Sequence, residues 1–306
     1  MSHLTLKPGG LLDDQNRYWY QRFPIDHLEH YKRMFPGLPF DFVSYLSLNN
    51  GWKYFPRGFN NYNPPQSANA IFANFKQLAT IKGNIDRVYD LNRQLKGIFR
   101  TYATEARGKY DTVLDIIAKI GAEISDDAPL NASDLETLRG IVQARSDLST
   151  SMKTIVSAII NLLHGIKNDL ETAINNINAD LLALNKVLVF SPAEQDKIDE
   201  GPTPDNIWGF GEKFALVDTY FVINVNDAVT RAQDAITFDI SPAITMMETE
   251  FSNWDAISHD LATVLQDVEN EKNDKIAELE LLDNDAILEA WQNLGDIVVQ
   301  DSELDY

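Results

Sequence analysis

From Ile71 to Ile124, and again from Leu135 to Leu188, apolar residues return every third or fourth position with few lapses. In the first stretch they are Ile71, Phe75, Leu78, Ile81, Ile85, Val88, Leu95, Ile98, Tyr102, Ala106, Val113, Ile117, Ile120 and Ile124. In the second they are Leu135, Leu138, Val142, Leu148, Met152, Ile155, Ile159, Leu162, Ile166, Leu170, Ala173, Ile177, Leu181, Leu184 and Leu188. That period lays one apolar stripe along an α-helix; a strand, whose side chains alternate with a period of two, cannot use it. Between the stretches, "SDDAPLN" acts as a breaker. "NASDLE" follows, predicting Ser133 as N-cap with Glu136 three residues on. A helix from Ser133 to Leu188 would be about 80 Å long at about 1.5 Å per residue. Two such helices joined by a short turn must lie antiparallel. The expected fold is all-α: an elongated antiparallel bundle of long helices.

The helical text is interrupted once, at "VLVFSPAEQDKIDEGPTPDNIWGFGEKFALVDTYFVINV", residues 187–225. Pro192, Pro202, Pro204, Gly201, Gly209 and Gly211 break any regular helix there. A polar centre lies between two apolar edges. Residues 189–215 are therefore expected to form a small head or tongue at one tip of the bundle, with an apolar flank reaching about residue 225. Helix resumes at 216–306 through Val222, Val225, Val229, Ala232 and Ile236, then Ile244, Met247, Phe251, Trp254, Ile257, Leu261, Val264 and Val268. Pro242 predicts a kink or split after Ser241. A last amphipathic helix carries Leu282, Ile287, Trp291, Leu294 and Val298. The bundle thus takes in residues 66–188 and 216–306. Residues 1–65 differ: Pro24, Pro36, Pro39, Pro56, Pro64 and Pro65 break them, and residues 18–62 hold 14 of the 31 aromatics, a density that suggests a segment packing on the bundle.

Charge and motif content exclude several functions. Net charge is −20, and residues 239–306 alone carry −16. Such a field repels phosphate backbones, so nucleic acid is not an expected partner. There is no cysteine, which removes disulfides and thiolate metal sites. Asp26, His27 and His30 in "DHLEH" lack a further nitrogen ligand, and His164 and His259 stand alone, so no metal site is assigned. No Ser-His-Asp, Cys-His or Gly-rich phosphate loop can be assembled, and the acids of "SDDAP" and "LLDNDA" suit helix ends. No catalytic residue or cofactor is expected, and the chain does not read as an enzyme. The start, "MSHLTLKPGGLLDD", is unlike a Sec signal peptide, and no run of about 18 apolar residues provides a ready membrane span.

The tail "FSNWDAISHDLATVLQDVENEKNDKIAELELLDNDAILEAWQNLGDIV" has a Trp opening an apolar helix, an acidic linker, and a helix carrying a second Trp. With Trp254, Ile257, Leu261 and Val264, then Ala286, Ala290, Trp291 and Leu294, it resembles the C-terminal part of the helical pore-forming toxins. That family includes cytolysin A, the haemolysin BL and non-haemolytic enterotoxin components, the xenorhabdolysins and the helical Cry-type insecticidal toxins. The order of elements over residues 66–306 is similar too. The resemblance implies a pore-forming cytolysin or one component of a multi-component toxin. It implies secretion without a Sec signal, a soluble form, a target-cell membrane, and assembly with further copies or a second helical component. It makes Trp208, Phe210, Phe214, Leu216, Val217, Tyr220, Phe221 and Val222 the candidate membrane-inserting residues. Trp254 and Trp291 become the structural tryptophans of the tail. The polar middle of the tongue suits a multi-component member. A non-lytic helical scaffold or surface interaction protein is the alternative from a different class. The residues themselves leave two readings of 154–166, "TIVSAIINLLHGI": a crowded bundle middle or an inserting hairpin.

Overall fold

The computed structural model describes residues 66–125, 131–187, 191–193, 196, 219–269 and 284–304, with Leu6, Pro8, Leu11, Leu28, Lys32 and Leu38 from the first 65. Helix α1 is Gln66–Ser125, α2 is Ala132–Val187, α3 is Thr219–Asp234, α4 is Ser241–Glu269 and α5 is Asn284–Leu304; a π-helical segment, Ala235–Ile240, joins α3 to α4. Among the described residues there is no strand. The all-α fold expected from the period is the one observed.

Helix α2 shows how sequence becomes packing. Its stripe of buried positions runs Leu138, Val142, Arg145, Ser149, Met152, Val156, Ile159, Leu163, Ile166, Leu170, Ala173 and Ile177, with Ile174 buried beside it, and Leu184 continues the stripe. Steps of four and three alternate without a lapse from Leu138 to Ile177, the a/d pattern of a coiled-coil seam. The seam therefore includes two polar positions, Arg145 and Ser149. Leu148, Ile155, Leu162 and Leu181 lie beside it, half exposed. Helix α2 also starts differently from expectation. The Asn131 side-chain oxygen accepts the Ser133 N–H at 2.9 Å, and the Asn131 carbonyl accepts the Leu135 N–H at 3.1 Å. Asn131, not Ser133, is the cap; Asn and Ser cap about equally well, and Asn131 is the first that can reach an orphan N–H.

The chain divides into two compact units. The first comprises Met1–Phe23, Val88–Asn161 and Ala243–Tyr306. Its helices alternate in direction. The Glu123 carboxylate accepts the Asn131 N–H while Tyr102, earlier in α1, lies against Arg145, later in α2, so α1 and α2 run antiparallel. Lys153 pairs with Asp255 at 2.8 Å and Thr150 meets Ser258 at 3.2 Å, so α2 and α4 are antiparallel. Ala103 approaches Gly295 while Arg107 donates to Gln292 at 2.9 Å, so α5 is antiparallel to α1. The result is an up-down-up-down four-helix arrangement.

The second unit comprises Pro24–Arg87 and Leu162–Pro242. Its core includes Leu28, Phe72, Phe75, Leu78, Ile166, Leu170, Ala173 and Ile177. A polar layer interrupts the apolar packing. Asn74 donates to the Ala70 carbonyl at 3.0 Å and to Asp180 at 3.3 Å, and Asn176 donates to the Asn74 side-chain oxygen at 3.4 Å. Such groups fix the register of paired helices, because a slip would strand them against apolar neighbours. Lys32 pairs with Asp86 at 2.7 Å.

Of the kink or split expected after Ser241, the split does not occur. Pro242 falls in the first turn of α4, where a missing N–H is tolerated. The preceding π-helical segment absorbs the mismatch: the Ser241 N–H reaches back five residues to the Ile236 carbonyl. Inserting one residue into the turn carries the helix up to the proline.

Candidate functional site: an arginine enclosed by aromatic rings

The expected membrane-inserting residues Trp208, Phe210, Phe214, Leu216 and Val217 lie outside the described residues. Tyr220, Phe221 and Val222 fall on the first turn of α3. The head, 189–215, is described only at Ser191, Pro192, Ala193 and Asp196, all exposed. Asp26, His27 and His30 also lie outside the described residues, and His164 is exposed on α2. Among the described residues no three His, Cys, Asp or Glu side chains gather as metal ligands, and no helix is long and apolar enough to cross a membrane.

The residues the structure does bring together are Trp254 and Trp291. Both are fully buried in the four-helix unit, and Tyr102 of α1 lies between them. Its ring meets Trp254 edge-on, with centroids 5.3 Å apart, and Trp291 at a tilt, 5.5 Å apart. Phe99, one turn back, also meets Trp254 edge-on at 5.7 Å. Tyr110 stacks on Trp291 at 5.1 Å with the planes 11° apart. Edge-to-face and offset contacts of this kind add to the large apolar area each ring buries. The Trp291 indole N–H donates to the Leu6 carbonyl at 2.8 Å; the Trp254 indole N–H has no acceptor.

Arg145 sits inside this cluster at 3% exposure. Its guanidinium carbon lies 3.3 Å from the centre of the Tyr102 ring, 5.4 Å from Tyr110 and 5.9 Å from Trp291. None of its three nitrogens reaches an acceptor in hydrogen-bond geometry. The two phenols bond to each other, oxygen to oxygen, at 3.1 Å. Burial raises the Tyr102 phenol well above its ordinary value and the neighbouring Tyr110 adds to this, while the Arg145 charge opposes it. Burial likewise raises Tyr110, again opposed by Arg145. Beside the guanidinium is a void of about 10 Å³, bordered by Leu6, Tyr110, Val142, Leu261 and Val264 among others. That is room for about one water molecule.

Chemically the site holds the Arg145 cation against ring faces and leaves its N–H groups outside hydrogen-bond geometry with any acceptor. Arg145 is not legible in the sequence, because a charged residue reads as a solvated one. The usable signal was spacing: Arg145 stands three residues after Val142 and seven before Met152, on the seam. Tyr110 was missed in the same way, between Ala106 and Val113. Leu6 had no signal, since only its backbone carbonyl is used.

No protein-family model and no curated protein sequence matches the chain. Among solved structures it is similar to XaxA from Xenorhabdus nematophila, at 13% identity and a TM-score of 0.29, over 92% of this chain and 94% of XaxA. It is also similar to the soluble AhlC of the tripartite alpha-pore-forming toxin AHL from Aeromonas hydrophila. There the identity is 12% and the TM-score 0.27, over 92% of this chain and 98% of AhlC. Overlap this loose fixes no residue correspondence.

Proposed function

We propose that this chain is a component of a helical pore-forming toxin, acting at a membrane together with further copies of itself or a second helical component, and without catalysis. The observation that carries the reading is the placing of Trp254 and Trp291 on either side of Tyr102. The sequence resemblance to helical toxins rests on those same two tryptophans. Membrane physics is compatible with it. Lipid admits only backbone whose hydrogen bonds are satisfied, as in a helix. No described helix is long and apolar enough to cross alone; in this reading several amphipathic helices cross as a ring, polar faces to water and apolar faces to lipid. In this reading Trp208, Phe210, Phe214, Leu216, Val217, Tyr220, Phe221 and Val222 meet lipid, and the acidic centre "EQDKIDEG", residues 194–201, stays in water.

The absence of cysteine makes the test clean. Single-cysteine variants Phe214→Cys and Leu216→Cys, labelled with an environment-sensitive dye, are mixed with vesicles that hold a quenched fluorophore. The chain is used alone and with each co-encoded helical protein. The reading expects vesicle leakage together with a blue shift of the label. Leakage without a shift would move the inserting element to residues 154–166 or the aromatic N-terminal segment. No leakage in any mixture would favour a non-lytic scaffold.

A further inference from the structure

We infer that Leu6 and Trp291 form a latch over Arg145, and that the latched state is held at the expense of a buried charge that opening would return to water. An arginine side chain keeps its charge at any physiological pH. Here it is buried, with the Tyr102 and Tyr110 hydroxyls beside it but none of its nitrogens in hydrogen-bond geometry with a protein acceptor. The adjoining void has room for at most about one water, against five donors on a guanidinium. Stacking on Tyr102, Tyr110 and Trp291 returns part of the lost hydration, but a cation–π contact is worth less than the desolvation of an ion.

A second unfavourable feature lies in the same place. Leu6 has φ 45°, in the left-handed region that a branched apolar side chain seldom adopts. It is held there while its carbonyl takes the Trp291 N–H and its side chain, 4% exposed, closes the void beside Arg145. A third feature is the fit of α5 itself. At Gly295 a Cβ would stand 3.2 Å from the Ala103 carbonyl oxygen, so α5 seats against α1 with no slack. Strain, a buried charge without hydrogen-bonded acceptors and a tight helix contact coincide at one closure, made by Leu6 and α5. Strained elements gathered in one place persist only when the surrounding structure enforces them, and they mark elements poised to move. The latch is a property of the closed chain and does not depend on what the chain opens onto.

Native-state hydrogen exchange of the full chain tests this, following amides of 284–298 against those of 152–161 in the seam of α2. Arg145→Met removes the charge and keeps an unbranched apolar stem; it should slow exchange of 284–298 by about tenfold or more, leaving 152–161 unchanged. Arg145→Lys keeps the charge and loses the flat stack, and should speed it. Trp291→Phe removes the bond to Leu6 and should also speed it. If Arg145→Met opens α5 as readily as Arg145→Lys does, the arginine holds the closure together and the inference fails. Loss of the helical circular-dichroism signal in Arg145→Met would overturn it equally, since a charge whose removal unfolds the chain is not a strained one.

Discussion

Trp291 donates its indole N–H to the backbone carbonyl of Leu6 at 2.8 Å, joining residues 285 positions apart. This bond attaches the chain's start to its last helix at the point where Arg145 is enclosed. Trp291→Phe keeps most of the ring and leaves the carbonyl without this donor. A loss of about 1–2 kcal/mol in urea unfolding is expected. Trp291→Ala also empties the space between Tyr102 and Tyr110, and should lose about 3–5 kcal/mol. Equal losses in the two variants would mean that the bond, not the packing, dominates.

Two glycines of the four-helix unit should respond in opposite ways to alanine. Gly295 faces the Ala103 backbone, and backbone cannot step aside as a side-chain tip can. Gly295→Ala should therefore destabilise by about 1 kcal/mol or more in spite of alanine's better helix propensity. Gly108 has nothing within 4 Å of its would-be Cβ. Gly108→Ala should stabilise by up to about 1 kcal/mol, by propensity alone. Thermal melts of the pair separate close approach from helix propensity.

Asp180 predicts a pH effect in the second unit. Burial raises its carboxyl above the ordinary 3.8. A folded value above the unfolded one means that its contribution is fully present below pH 3.8 and is lost as pH rises through the raised value. Asp180→Asn keeps an acceptor for the Asn74 amide and cannot ionise. The variant should gain stability over the wild type as pH rises above that range, and the two should converge at low pH. Urea midpoints measured across the acid range decide it; a difference that grows toward low pH would reverse the sign.

Tyr102 and Tyr110 make the corresponding alkaline test. Both phenols are raised above 10.0, by burial first. Their contribution is intact below pH 10.0 and lost as pH rises through the raised values. Near-ultraviolet phenolate absorbance should show tyrosines that ionise only when the helical signal collapses. Phe in both positions should remove that late fraction. Smooth titration of every tyrosine in the folded chain would contradict their enclosure.

The helices were legible in the sequence because period and punctuation agree. "SDDAPLN" ends one stripe, "NASDLE" opens the next, and α1 and α2 stop within a few residues of those marks. What was not legible followed from tertiary context. Arg145 and Ser149 take seam positions that an apolar count passes over, while Leu148 beside them is half exposed. Pro242 reads as a break, yet a π-helical turn carries the helix to it. The bond from Trp291 uses a main-chain carbonyl, which leaves no trace in residue type. Of the functional surface, Trp254 and Trp291 were visible as stripe positions, and the ring of groups around Arg145 was not.

Current recorded across a planar lipid bilayer tests the central claim most directly. Purified chain, added alone and then with each co-encoded helical protein, is predicted to give discrete, long-lived steps of conductance in at least one combination. A flat current in every combination, from protein whose circular dichroism shows the helices intact, would contradict a role in pore formation.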